Sequence, residues 1–183
     1  MDDEIVRLCQ QGRPEGFAQL LEAYQGKVYR RAYSFLRSRE DALDATQDVF
    51  LRVLPAISRF RPGSPLWPWL RRITTNTCLN RLKAEASRPE TVPWEQALLE
   101  LASQPSDSDP QAAAELAWDR DALDQALARL PAMYRVVVVL RHEEDLTYEQ
   151  IADVTSLPLG TVKTYLFRAR KMLRESLRSG VRT

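Results

Sequence analysis

Basic side chains are concentrated in one stretch of the sequence. From Pro158 onward the chain carries seven lysine and arginine residues against a single acidic residue, Glu175. The seven are Lys163, Arg168, Arg170, Lys171, Arg174, Arg178 and Arg182. Such a cluster suits contacts with nucleic-acid phosphates, because binding then releases the condensed counterions. A basic helix that is only solvated remains the alternative on this stretch alone.

The residues around this cluster predict two short helices joined by a tight turn. Thr147 and Gln150 have the spacing of a capping box, so one helix should begin at Tyr148. Its inward residues would be Ile151, Ala152 and Val154. Pro158 suits the first position of a second helix, because its φ angle is fixed. The inward stripe of that second helix would be Val162, Leu166, Ala169, Leu173 and Leu177.

Two such helices, with the second basic on its outer face, are typical of a helix-turn-helix. In that motif the second helix enters the major groove and its first turns reach the base edges. The outer face would consist of Lys163, Thr164, Phe167, Arg168 and Lys171. This stretch therefore predicts a surface that binds duplex DNA.

A second candidate surface lies on a helix predicted over residues 66–84. Its polar face consists of Arg72, Asn76, Asn80 and Lys83, the first three of which are spaced by four residues. Basic groups and amides together suit the phosphates and exposed base edges of a single strand. The opposite side is a core stripe of Leu66, Trp69, Leu70, Ile73 and Leu82. Residues 59–65 should form a loop before this helix, since they hold two prolines and a glycine.

A third helix, predicted over residues 41–57, has an acidic and polar face. Four residues at intervals of three and four share that face: Asp44, Gln47, Asp48 and Leu51. The apolar pattern of the same helix is Leu43, Val49, Phe50, Val53 and Leu54, and of these Phe50, Val53 and Leu54 are expected to turn toward the core. On the residues alone, a solvated acidic face is the preferred interpretation.

The composition limits the possible function classes. The chain has 183 residues, 44% of them hydrophobic, which suits one medium domain or two small ones. His142 is the only histidine, and Cys9 and Cys78 lie far apart, so we expect no metal site, no Ser-His triad and no cofactor. The thiols should be reduced, as in an intracellular protein. Without a secretory signal or an apolar run near the roughly 18 residues of a membrane span, we expect a cytoplasmic protein.

Helical periodicity dominates the organisation of the chain. The run of four valines at residues 136–139 suits a strand by propensity, but it follows Pro131 and has no partner strand, so we predict a helix. Residues 88–111 are rich in proline, serine and acidic residues and predict a linker. The expected fold is all-α, with two small helical domains, residues 1–87 and 112–183, on either side of this linker.

Both halves resemble one family, the sigma factors of the extracytoplasmic-function type. The stretch that resembles their region 4 is "LPAMYRVVVVLRHEEDLTYEQIADVTSLPLGTVKTYLFRARKMLRESL". The stretches that resemble region 2 are "DALDATQDVFLRVL" and "RFRPGSPLWPWLRRITTNTCLNRLK". The resemblance covers nearly the whole chain apart from the linker, in the order and spacing of the family.

The resemblance implies a protein that binds core RNA polymerase, directs it to promoters, opens the −10 DNA and catalyses nothing itself. It implies polymerase contacts, on a basic coiled coil, at Asp44, Gln47, Asp48 and Leu51. It implies −10 contacts, with a pocket for a flipped base at the loop, at Phe60, Arg61, Leu66, Arg72, Asn76, Asn80 and Lys83. It implies −35 contacts at Thr161, Lys163, Thr164, Phe167, Arg168 and Lys171. Its partners would be core RNA polymerase, promoter DNA and an anti-sigma factor able to hold it at the membrane, with no small-molecule substrate.

The sequence departs from the family pattern at two places. Ser156 stands at the turn where relatives usually carry glycine, which fits a left-handed helix end at no steric cost. We expect serine to strain this turn without abolishing it. At the loop and the residues just after it, more polar or aromatic choices of the family are replaced by Pro62, Pro65, Leu66, Trp67 and Pro68. The loop should therefore be stiffer, and its base preference is not transferable from relatives.

Two other classes of protein compete with this interpretation. A helix-turn-helix regulator would bind duplex DNA without polymerase and would lack the tandem patterns "DATQDVF" and "WLRRITTNT". An enzyme on a helical scaffold would need a clustered nucleophile, base or metal set, and the sequence shows none. Co-purification with core polymerase would separate these classes.

Overall fold

The structure, a computed structural model, describes residues 2–86 and 120–180. The described residues form α-helices and one short 3-10 turn, with no strand among them, which confirms the predicted all-α fold. The chain divides into two compact units, Met1–Leu82 and Lys83–Thr183. The predicted linker, residues 88–111, lies outside the described residues.

The first unit consists of four helices and the 3-10 turn. They are α1 (Asp2–Gln10), α2 (Pro14–Leu36), α3 (Arg39–Ala56), the 3-10 turn Ile57–Arg59 and α4 (Leu66–Ala86). Pro14 opens α2 at a position that needs no backbone donor. The hydroxyl of Ser38 caps α3 by accepting a hydrogen bond from the Asp41 amide at 3.2 Å. α2 packs against both α1 and α3, so it forms the centre of this unit.

The core of the first unit draws on every one of its helices. It consists of Ile5, Val6, Leu20, Tyr24, Val28, Val49, Phe50, Val53, Ile57, Leu66 and Leu70. Phe50 and Val53 are buried as predicted, but Leu54 is 45% exposed, so its predicted place in the core is wrong. Leu43, of the same apolar pattern, is 44% exposed. α3 instead turns Ala42, Ala45 and Val49 inward, because small residues let it approach α2 closely.

The second unit contains the remaining described helices. They are α5 (Arg120–Arg129), α6 (Ala132–His142), α7 (Tyr148–Thr155) and α8 (Leu159–Gly180). α8 packs against each of the other three. The four valines of residues 136–139 are helical, as predicted, and all four are buried. Burial on every side explains why this helix lacks the alternation of apolar and polar residues that a surface helix shows.

The predicted capping box starts α7. The Thr147 hydroxyl accepts from the Gln150 amide at 3.3 Å, and the Gln150 side chain accepts from the Thr147 amide at 2.8 Å. Ser156 ends α7 with a φ angle of 59°, in the left-handed region, which is the strained conformation expected from the sequence. The first residue of α8 is Leu159, and the Pro158 carbonyl accepts from the Val162 amide at 3.1 Å. Val154 was predicted to face inward but is 37% exposed, since Ile151 and Thr155 supply the buried face.

Candidate nucleic-acid interface

The outer face of α8 carries the residues predicted to meet a duplex. Lys163, Phe167 and Lys171 follow one another at intervals of four and are exposed, Phe167 to 51%. Thr161, Thr164 and Arg168 flank this row and are half-buried. The Thr164 hydroxyl donates its proton to the Gly160 carbonyl at 2.9 Å. Toward a DNA base this hydroxyl can therefore act only as a hydrogen-bond acceptor.

The buried side of α8 fixes the orientation of this face. Val162, Leu166 and Ala169 are at most 1% exposed, and the Tyr165 ring lies 4.9 Å from the Tyr134 ring of α6. Burial raises the pKa of Tyr165, so its hydroxyl stays neutral. Packing on this scale holds a helix rigidly, which a surface that reads base edges needs.

The segment before α7 is also held in place. Arg141 donates through Nη1 to the Leu146 carbonyl at 3.0 Å, and its guanidinium lies 5.8 Å from the centre of the Tyr148 ring. Together with the capping box, these contacts determine where α7 begins. The helix-turn-helix predicted from the sequence is therefore present, and the start of α7 is fixed by these contacts.

The polar face of α4 is accessible as predicted. Arg72, Asn76 and Asn80 are exposed, and Lys83 is half-buried. Between them the helix buries Thr74, Thr77 and Cys78. The two threonine hydroxyls donate to the carbonyls four residues earlier, Thr74 to Leu70 at 2.8 Å and Thr77 to Ile73 at 2.9 Å. The amides of Asn76 and Asn80 therefore lie on the outer side of α4, whereas the threonine hydroxyls on its inner side already have hydrogen-bond partners.

A pocket lies between the end of α3 and the start of α4. Its volume is about 440 Å³, within the roughly 300–1,000 Å³ of small-molecule sites. It is lined by Pro55, Ala56, Arg59, Phe60 and Trp69. The rings of Phe60 and Trp69 are 4.9 Å apart, with an interplanar angle of 50°. We call residues 60–65, which begin at the lining residue Phe60 and lead to α4, the pocket loop. The rings of Phe60 and Trp69 offer apolar surfaces on which a base can stack.

One residue predicted to contact −10 DNA is excluded by the structure. Leu66 is fully buried and belongs to the core of the first unit, so it cannot touch a nucleic acid. It is the first residue of α4, and its burial, with a stabilisation of about 1.5–3 kcal/mol, anchors that end of the helix. Phe60 is half-buried and Arg61 is exposed, so both remain accessible from solvent.

The face of α3 predicted to bind polymerase is less acidic and more apolar in the structure than the sequence predicted. Asp44 and Gln47 are exposed, and Leu51 is 65% exposed. Asp48 is half-buried because its Oδ2 accepts from Nη2 and Nε of Arg81 on α4, at 2.5 and 3.2 Å. A carboxylate in such a pair is partly neutralised and ties two helices together.

Sequence reasoning missed two members of this face, Leu43 and Leu54. They lie in line with Gln47 and Leu51 at intervals of four, four and three. That spacing was the available signal, because it places all four residues on one side of a helix. The resulting apolar row on the outside of α3 is suited to a protein partner more than to solvent.

The reactivity of the cysteines, metal binding and the hydropathy of the helices are three further properties of the described residues. Both cysteines are free, and burial raises the pKa of the Cys78 thiol to about 12. Among residues 2–86 and 120–180 there is no cluster of three or more metal-ligating side chains. No helix in this described part is both long and apolar enough to cross a membrane.

Comparison with known proteins identifies both units. The family profile for sigma-70 region 2 matches residues 20–88, and that for sigma-70 region 4 matches residues 120–173. The RNA polymerase sigma-H factor of Pseudomonas aeruginosa is 31% identical over 96% of this chain and 93% of its own length. The extracytoplasmic-function (ECF) RNA polymerase sigma-E factor of Haemophilus influenzae is 32% identical, over 96% and 95% of the two chains.

Solved structures show the same fold. CnrH, solved in complex with the cytosolic domain of CnrY, aligns with a TM-score of 0.52 at 24% identity, covering 97% of each chain. RpoE of Bartonella quintana, solved in complex with the anti-sigma factor NepR, aligns with a TM-score of 0.54 at 23% identity. That alignment covers 88% of this chain and 96% of RpoE.

A region 2 unit followed by a region 4 helix-turn-helix unit defines an alternative sigma factor, a DNA-binding protein that acts with RNA polymerase in transcription initiation. The chain belongs to the sigma-70 family, within its extracytoplasmic-function class. The resemblance of the sequence to this family is thereby confirmed. A helix-turn-helix regulator that works without polymerase is not favoured, because both matched regions and the full-length relatives are those of sigma factors.

Proposed function

We propose that the two units divide promoter recognition between duplex and single-stranded DNA. The second unit reads the −35 duplex through α8, and the first unit opens and holds the −10 strand through α4 and the pocket loop. The observation that carries this proposal is the chemical contrast between two exposed faces. One presents lysines around an exposed aromatic ring, and the other presents amides on a helix whose first turns, at Trp69, line an apolar pocket.

For the −35 element, α8 offers charged donors on a rigid support. Lys163 and Arg168 pair with guanine acceptors or phosphates in the major groove. The Phe167 ring, which is 51% exposed, supplies an apolar contact of the kind that recognises a thymine methyl group. Thr161, Thr164 and Lys171 extend the same face.

For the −10 element, α4 and the pocket loop offer what an unpaired base requires. Flipping a base out of the duplex costs a few kcal/mol, which stacking and new hydrogen bonds must offset. Phe60 supplies a stacking surface at the pocket, and Asn76 and Asn80 both donate and accept hydrogen bonds. Arg61, Arg72 and Lys83 meet the phosphates of the opened strand.

For the polymerase, we assign the outer face of α3. Leu51 is its most exposed apolar residue, and Leu43 and Leu54 extend the apolar row. Asp44 and Gln47 give this row the acidic and polar border that a basic partner surface would meet. Asp48 contributes to the same face while it also holds α4 through Arg81.

The remaining assignments follow from the family. We assign residues 1–87 to polymerase binding and −10 opening, residues 112–183 to −35 recognition and residues 88–111 to the linker. An anti-sigma factor is the expected regulator, since the structural relatives CnrH and RpoE were solved with the cytosolic domain of CnrY and with NepR. The protein itself catalyses no reaction and works in the cytoplasm on a specific set of promoters.

Run-off transcription tests the proposal. Core polymerase with this chain is incubated with a library of promoter fragments, and the transcribed fragments are sequenced. We expect a small set of promoters with one −35 and one −10 motif, none of which core polymerase alone transcribes. Binding of the chain to duplex DNA without any polymerase-dependent transcription would instead identify a plain helix-turn-helix regulator.

A further inference from the structure

We infer that α1 is a brace that fixes the shape of the pocket loop, with Gln10 and Asp3 as positioning residues for strand opening. The inference rests on the proposed role of the loop in holding a flipped base. It gives a specific role to α1, which the proposed function includes in residues 1–87 without assigning it a role of its own. α1 precedes residues 20–88, the stretch matched by the region 2 profile.

Gln10 holds the wall of the pocket. Its side-chain Nε2 donates to the Ile57 carbonyl at 3.0 Å and to the Phe60 carbonyl at 2.8 Å. A glutamine amide has two N–H groups, so both are used on this one segment. The two carbonyls lie on either side of Ser58 and Arg59, and both Arg59 and Phe60 line the pocket. The position of this wall therefore depends on a residue 50 positions earlier in the chain.

Asp3 holds the far side of the loop. Its Oδ1 accepts from the Gly63 amide at 2.8 Å. Gly63 has a φ angle of +81°, which glycine adopts without strain, and the turn around it is closed by the Ser64 amide and the Arg61 carbonyl at 3.3 Å. A hydrogen bond to a carboxylate is among the stronger ones in proteins. The two ends of one short helix thus hold two points of the pocket loop.

α1 is itself firmly anchored, as a brace must be. Ile5, Val6 and Leu8 are buried, and a Cβ added at Gly16 of α2 would lie only 2.5 Å from that of Leu8. Asp2 hydrogen-bonds to Tyr24 of α2, and burial together with this bond raises the pKa of Tyr24 to about 12. α1 can therefore transmit the rigidity of the core to the loop.

This arrangement matters for opening because a preformed pocket does not have to be ordered when the base arrives. Ordering a loop costs conformational entropy for each residue that is fixed. A site that is organised in advance spends less of its binding energy on that cost. Removing the brace should therefore slow opening, without weakening either the polymerase contact of α3 or the −35 contact of α8.

Substitutions at Gln10 test this inference directly. Gln10→Ala removes both hydrogen bonds, and Gln10→Glu replaces the donor with a carboxylate that repels the two carbonyls. Gln11→Ala is the matched control, because Gln11 is the neighbouring exposed glutamine. Holoenzyme containing each variant is mixed with a fully paired promoter, and opening is followed by permanganate reactivity of unpaired thymines. Circular dichroism verifies the fold, and native gels verify assembly with core polymerase.

We expect Gln10→Ala to slow opening about tenfold, on the scale of two lost hydrogen bonds, and Gln10→Glu to slow it further. Gln11→Ala should open at the parent rate, and a template with a mismatched −10 bubble should restore transcription by both Gln10 variants. Asp3→Ala should also slow opening, whereas Asp3→Asn keeps an acceptor and should open nearly as the parent does.

Three outcomes would overturn the inference. If Gln10→Glu opens as fast as Gln11→Ala while Phe60→Ala opens slowly, α1 is no brace, although the proposed function of the loop stands. If Phe60→Ala also opens at the parent rate, the role of the loop in opening is wrong and the brace is wrong with it. If the Gln10 defect persists on the bubble template or is matched by lost core binding, Gln10 acts only on stability.

Discussion

The two faces of this sigma factor that we propose to bind DNA differ in how the chain builds them. The α7–α8 face comes from one continuous stretch, in which the capping box, the left-handed Ser156 and Pro158 arrange two helices over some thirty residues. The α4 face depends on contacts from far along the chain, including Gln10 to Phe60 and Asp48 to Arg81. A helix-turn-helix can be arranged by neighbouring residues, and α5 and α6 then support it through their packing against α8. A pocket that must accept a displaced base needs support from several helices.

The difference also appears in the chemistry of the exposed side chains. Lys163 and Lys171 on α8 carry full charges, which suit duplex phosphates and guanine edges. Asn76 and Asn80 on α4 are uncharged and can both donate and accept, which suits base edges released from pairing. We therefore expect substitutions in the two units to fail at different steps of initiation.

The largest expected effect concerns the step that both faces require, assembly with polymerase. Leu51→Arg replaces an exposed apolar residue with a charge that opposes a basic partner surface. We expect affinity for core polymerase to fall by at least about 2 kcal/mol, the level of an interface hot spot. Fluorescence titration of labelled core polymerase would measure it, with Glu22→Arg, at an exposed position of α2, as the control. Unchanged affinity would remove this face from the interface.

Asp48→Arg is a less specific probe of the same face. Besides opposing a basic partner, it would place a guanidinium beside Arg81 and break the link between α3 and α4. We expect it to reduce assembly and to lower the free energy of unfolding as well. Arg81→Ala separates the two contributions, because it breaks the link and leaves the charge of the polymerase face in place.

The next effect in size is on opening. The double substitution Asn76→Ala with Asn80→Ala removes two hydrogen-bonding groups, each worth about 1 kcal/mol. We expect the closed complex to form normally and opening, followed by permanganate reactivity, to be impaired about thirtyfold. Glu22→Gln, at an exposed position of α2, is the control, because it changes a side chain away from the polar face of α4. Opening at the parent rate would mean that both asparagines are merely solvated.

A smaller effect is expected on the −35 element. Lys163→Ala should weaken binding of the holoenzyme to a cognate promoter by about 1–2 kcal/mol, typical of one base contact. Arg178→Ala, an exposed basic residue later on α8, is the matched control for loss of charge. If Lys163→Ala weakens cognate and scrambled −35 sequences equally, Lys163 contacts phosphate and does not read sequence.

The smallest effect is on stability and concerns the turn of the helix-turn-helix. A residue with a side chain pays about 1–2 kcal/mol in the left-handed region, so Ser156→Gly should stabilise the protein by about 1 kcal/mol in urea unfolding. Ser156→Ala, which keeps the Cβ, should not. Arg37→Gly at the end of α2 should gain less, because it loses the contact of Arg37 with the Tyr33 ring. An equal gain for Ser156→Ala would show that the hydroxyl, not the strain, is responsible.

The sequence predicted well what depends on neighbouring residues. The capping box at Thr147 and the strained turn at Ser156 are local features, and the structure shows both. The helical state of the four valines followed from Pro131 and the lack of a partner strand. These features require only the spacing of residues along one or two turns.

The errors concern residues whose burial or partner is determined by packing between distant elements. The side of α3 that faces α2 could not be read from its apolar residues, because alanines made the close approach and left Leu43 and Leu54 outside. Leu66 sits beside accessible loop residues in sequence but anchors α4 in the core. The ion pair of Asp48 with Arg81 joins residues 33 positions apart, which no periodicity reveals.

The division of labour between the two units is tested most directly by one crossed experiment. Holoenzymes with Lys163→Ala or with Asn76→Ala and Asn80→Ala are compared on the same promoter, fully paired or with a mismatched −10 bubble, and run-off transcripts are counted. We predict that the bubble restores most transcription by the asparagine variant and little by the lysine variant, because only the former lacks an opening function. If the bubble restores both variants equally, or neither of them, the two faces do not act at separate steps and the account is wrong.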